Sequence, residues 1–96
     1  MPSPDVLQVW LGSPVRIPIS TSLNGVPTSP SSLSIELHGV KGGHLEYELG
    51  AAEIVQDAEG ELHAIVVPTH RGRWYWRWES NLGASEGTFE VETWTG

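Results

Sequence analysis

Residues 70–80 read HRGRWYWRWES, and this stretch decides the fold. Trp74, Trp76 and Trp78 stand at every second position, with Tyr75, Arg77 and Glu79 at and beyond the positions between. Successive side chains of a strand point to opposite faces, so this spacing puts three indoles on one side and polar groups on the other. A helix would scatter the same indoles around its circumference. The pattern predicts a half-buried strand. Three large aromatics on one face supply most of the apolar area that a chain of 96 residues can bury. Trp74, Trp76 and Trp78 are therefore expected at the centre of the core, with Phe89 beside them from the last alternating segment.

Other segments repeat the alternation. Val15, Ile17 and Ile19 alternate with Arg16, Pro18 and Ser20. Pro18 cannot donate to a ladder, so that strand belongs at an edge or a bulge. Leu33, Ile35 and Leu37 form a second alternating set, and Leu45, Tyr47 and Leu49 a third. Ile54 and Val55 mark a short strand. In residues 62–67 both faces are partly apolar, which predicts a strand covered on both sides. Phe89 and Val91 alternate with Glu90 and Glu92 in the last one. Between these lie turn signals: Asn24-Gly25, whose residues tolerate positive φ, Lys41-Gly42-Gly43, residues 57–60, and residues 81–85 around Gly83. About seven short strands with closely spaced turns predict an all-β fold. The reading is an antiparallel β-sandwich of immunoglobulin type, with a small β-barrel as the alternative.

Composition limits the function classes. There is no cysteine, which removes disulfides, thiolate-ligated zinc and thiol nucleophiles. The formal net charge is −7, a field that repels phosphate backbones, so nucleic acid is not an expected partner. No apolar run approaches the roughly 20 residues of a membrane helix, and no membrane insertion is expected. The first residues, MPSPDVLQVWLGSP, lack the basic and apolar regions of a signal peptide.

Nothing in the spacing points to catalysis, and no cofactor is expected. Glu46/Glu48 and Glu90/Glu92 read as solvated acidic faces, since exposed carboxylates keep ordinary acidity. His38, His44, His63 and His70 do not fall at metal-ligand spacings such as HxH or HxxxH, so no metal site is expected unless strands bring them together. The serines lie in turn-like runs without a strand–turn–helix elbow. Arg71, Arg73 and Arg77 cluster in the tryptophan strand and are expected to meet glutamates of adjacent strands, such as Glu90 and Glu92.

The domain reading is an N-terminal arm at residues 1–12 and a single sandwich at 13–96. Val6, Leu7, Val9, Trp10 and Leu11 form an apolar patch outside the main alternation, closed by Gly12 and Pro14. It reads as an edge strand or a docking arm, and the docking reading adds Trp94 near the other terminus. Trp10 and Trp94 could each cap the open end of the sandwich or anchor it on a partner. If the arm docks, deleting residues 1–12 should leave a folded domain.

The segments Gly72–Glu79, GRWYWRWE, and Glu86–Val91, EGTFEV, resemble the closing strands of small immunoglobulin-like domains in tailed-bacteriophage structural proteins. The resemblance covers residues 15–91. It implies a non-enzymatic virion protein, made in the host cytoplasm and present in many copies on a capsid, neck, tail or baseplate. Its partners would be other virion subunits. Immunoglobulin-like domains commonly carry Gly-x-Tyr-x-Cys on this strand. Here Trp74 stands at the tyrosine and Trp76 at the cysteine, so a hydroxyl-to-backbone corner bond is excluded at Trp74. The alternative from another class is a carbohydrate-binding or adhesion module that stacks glycans of a host surface on exposed aromatics such as Trp10, Trp94 and Tyr75.

Overall fold

The computed structural model describes residues 7–93, with side chains from Val9 onward. In chain order the strands are β1 (Leu7–Trp10), β2 (Val15–Ser20), β3 (Ser22–Leu23), β4 (Val26–Pro27) and β5 (Leu33–Gly39). They continue with β6 (His44–Glu48), β7 (Ile54–Ala58), β8 (Glu61–Val66), β9 (Gly72–Ser80) and β10 (Gly83–Glu92). One sheet runs β1-β10-β9-β5-β6 and a second runs β2-β8-β7, while β3 and β4 form a small separate hairpin. The two sheets exchange no ladder among the described residues, so the all-β body is a two-layer sandwich of the immunoglobulin type. No helix among the described residues is long and apolar enough to cross a membrane.

The tryptophan strand β9 is central. It pairs antiparallel with β10 on one side, where Trp74 faces Phe89, and with β5 on the other, where Trp78 faces Ile35. Alternation then dictates the inner surface: Trp74, Trp78, Ile35, Leu37 and Phe89 are all buried. The smaller sheet faces them with aliphatic side chains from Ile17, Ile19, Ala64 and Val66, each 2% exposed or less. Pro18 is accommodated because β2 is an edge strand.

Three expectations need correction. First, residues 7–10 are not a free arm. They pair parallel with residues 89–92 and form the edge of the larger sheet, and Val9 is buried in the core at 8% exposure. A parallel pairing between the start and the end of the chain leaves no local sequence mark, so the edge-strand alternative is the correct one. Second, Trp76 is only half-buried and packs against the core from its margin, whereas Trp74 is 0% exposed and Trp78 6%. Among the described residues β1 pairs with β10 only along residues 89–92. Trp76 lies over Gly87, ahead of that paired stretch, where a Cβ would come within 2.5 Å of the indole Cζ2. Third, the turn after β9 is tighter than residues 81–85, because β10 already begins at Gly83. The Asn24-Gly25 turn is present, with φ of 53° and 81°, and it closes the β3–β4 hairpin.

The loop at Gly42-Gly43 is also more than slack. Its glycine backbone packs against Trp74, and a Cβ on Gly43 would stand 2.7 Å from the indole Cη2. Gly39 makes the same close approach from the end of β5. The Trp74 Nε1–H donates to the His70 carbonyl at 2.8 Å. An indole N–H thus makes the bond to upstream backbone that a tyrosine hydroxyl makes at such corners.

Candidate functional site

The exposed apolar side chains mark the ends of the sandwich. At one end β1 and β10 finish, β9 starts, β5 runs into its loop, and β8 hands over to the loop before β9. Trp10, Leu11, Val40 and Val67 lie there at 46%, 39%, 60% and 46% exposure. Lys41 and Arg71, both exposed, belong to the same loops. The Leu11 N–H donates to the Glu92 carbonyl at 2.7 Å and the Val40 N–H to the Arg73 carbonyl at 2.9 Å, which fixes both loops on the strand ends. The opposite end carries Leu23 and Val26 on the small hairpin, together with Leu49. Of the residues expected to dock, Trp10 and Leu11 are on the surface and Val9 is not. Leu7 lies in β1, and Val6 and Trp94 lie outside the described residues.

The outer face of the larger sheet is ionic. Arg73 Nε donates to Glu90 at 2.6 Å, the cross-strand partner expected from sequence. Arg77 pairs with Glu79 at 2.8 Å and with Glu86 at 3.4 Å, and not with Glu92, because the ladder places Arg77 opposite Glu86. The Glu90 carboxylate raises the pKa of Arg73 above its ordinary value, and Glu79 does the same for Arg77. These pairs are solvent-exposed and hold register more than they stabilise. A mostly apolar groove of about 400 Å³ crosses this face beside Tyr75, with Arg77, Glu36, Glu86 and Thr88 along it.

The histidines are not scattered. The β5–β6 hairpin sets His38 opposite His44, and the two rings stack with centroids 4.5 Å apart. Glu36 reaches both, with 2.6 Å to His38 Nε2 and 3.5 Å to His44 Nε2. The His38 hydrogen bond, and after it that from His44, holds the Glu36 carboxyl below the usual carboxylate range. Sequence spacing missed this group because its two imidazoles are neighbours across a hairpin. Pairing the third strand with the second about the Gly39–Gly43 loop would have found it.

On the smaller sheet, a bulge at Asp57 turns its carboxylate to His63, 2.7 Å from Nδ1. His63 is buried, and Arg16 Nη2 lies 3.1 Å from the same nitrogen. One nitrogen cannot serve both, so the consistent assignment has Nδ1–H donating to Asp57. Among the described residues no hydroxyl hydrogen-bonds to that imidazole. Thr69 and His70 touch at 2.9 Å on the surface, with no carboxylate bonded to that histidine among the described residues.

No family model and no curated protein matches the sequence. Among solved structures the chain is similar to part of "a putative glycoside hydrolase from Bacteroides vulgatus ATCC 8482". The TM-score is 0.68 at 19% identity, over 92% of this chain and 16% of that one. At that identity the likeness is one of fold.

Proposed function

We propose that this chain is a non-catalytic docking module, a structural subunit of a tailed-phage particle that joins a larger assembly through one end of its sandwich. The observation that carries the docking reading is the grouping of Trp10, Leu11, Val40 and Val67, with Lys41 and Arg71, at a single end. A tryptophan and an arginine at the same end as exposed aliphatic side chains are residue types that interface centres favour. The phage setting is supported by the sequence resemblance of residues 72–79 and 86–91. Mass spectrometry of purified particles should find the protein as a constituent in many copies. The pair W10A/L11S should leave the free domain folded and remove it from the particle. Absence from particles would end the virion assignment. Unchanged incorporation of the double variant would end the docking assignment.

A second reading has its own observation. The groove beside Tyr75 offers an exposed ring, half open to solvent, next to an arginine and two carboxylates. Such a set suits a sugar, stacking on the ring and hydrogen-bonding at its rim. The similar structure is named for glycoside hydrolysis, and this chain matches only a small part of it, so a non-catalytic sugar-binding part of a larger protein is compatible with the likeness. Titration with glycans, followed by tryptophan fluorescence and repeated in Tyr75→Ala, separates the readings. Saturable binding lost in the variant favours sugar.

A further inference from the structure

We propose that Glu36, His38 and His44 form a binding site for a divalent transition-metal cation of the imidazole-preferring kind, for which zinc is the probe. The three come from two strands of one hairpin and share the outer face of the larger sheet, because Leu37 and Leu45 between them point inward. One ligand atom from each lies within 4.8 Å of the others. Both Nε2 atoms converge on the same carboxylate, at 2.6 and 3.5 Å. Zinc held at about 2.0–2.2 Å from each ligand atom in a tetrahedron needs those atoms about 3.3 Å apart. Rotating exposed side chains by roughly an ångström reaches that spacing without backbone movement.

The donor set selects the cation. Two imidazoles and a carboxylate suit zinc, nickel or copper, whereas calcium and magnesium prefer all-oxygen shells. Glu46 Oε2 lies 3.9 Å from His44 Nε2 and is the nearest candidate for a fourth ligand. The acidic chain draws cations to its surface. Arg77 stands opposite Glu36 in the ladder and opposes a cation there, but its guanidinium is engaged by Glu79 and Glu86. The support is firm: the loop joining His38 to His44 closes with the Gly39 N–H donating to the Gly43 carbonyl at 3.1 Å, and both glycines rest on Trp74. Ligands mounted on a packed hairpin lose little freedom on binding.

The test is calorimetry together with amide NMR on the full chain, stripped with chelator and titrated with zinc chloride. The expected result is one saturable equivalent, with shifts centred on residues 36–46. His38→Ala and His44→Ala should each weaken binding at least about tenfold, and His70→Gln should leave it unchanged. All three side chains are exposed, so thermal midpoints should confirm that the variants stay folded. No saturable binding up to millimolar zinc would overturn the proposal. So would binding undiminished in the His38/His44 double variant, equal loss in His70→Gln, or calcium binding as tightly as zinc.

Discussion

Trp74 and Trp76 stand two residues apart on one strand and one face, yet only Trp74 is sealed from water. The region around Trp74 has cover on every side. Phe89 stacks parallel to it with centroids 6.3 Å apart, and β1 completes the sheet beyond. The Gly39 and Gly43 backbone closes over the ring, and the His70 carbonyl accepts the indole N–H. The region around Trp76 has Gly87 on one flank, and among the described residues no strand pairs with β10 beyond it. Alternation assigns a residue to a face. Cover comes from distant segments and decides how much of that face is dry.

The contrast predicts a ranking. Trp74→Ala should cost about 3–5 kcal/mol, enough to unfold much of a small domain at 25 °C. Trp76→Ala should cost roughly half as much, since part of its area is already wet. Urea denaturation of both variants measures the gap, and equal losses would erase the distinction. Deleting residues 1–12 should now destabilise the domain strongly, because it removes Val9 and exposes the covered half of β10. A cooperative melt unchanged by the deletion would restore the free-arm reading.

Glycines sharpen the comparison at the next scale. Gly43→Ala meets the enclosed Trp74 ring and also a φ of 94°, so a loss of roughly 1–3 kcal/mol is expected. Gly87→Ala meets a ring that can swing outward, and the loss should fall at the low end of that range. The smallest expected effects are on the ionic face. NMR titration should find the Glu36 carboxyl below the ordinary carboxylate range, returning toward it in His38→Ala. The sign follows from the depressed folded value. The contact adds stability above the unfolded Glu36 pKa and loses it as pH falls through the lower folded one. The carboxylate is exposed, so the thermal midpoint should move little.

These same particulars show what sequence could reveal. Strands with several alternating apolar residues were legible: the faces of β2, β5 and β9, and the Asn24-Gly25 turn. The two-residue strands beside that turn were too short to carry a period. The place of β1 was not legible, because its partner lies about eighty residues away in the chain. The His38–His44 pair was hidden for a related reason. It depends on hairpin register, which spacing counted along the chain does not show. The end patch of Trp10, Leu11, Val40 and Val67 was half visible, since two of its members sit in loops remote from the N-terminal cluster.

Indole proton exchange measured by NMR in deuterated buffer tests the account at its root. The Trp74 and Trp78 Nε1–H signals should persist far longer than that of Trp76. A Trp76 proton as protected as Trp74, or a Trp74 proton lost at the rate of a free indole, would contradict it.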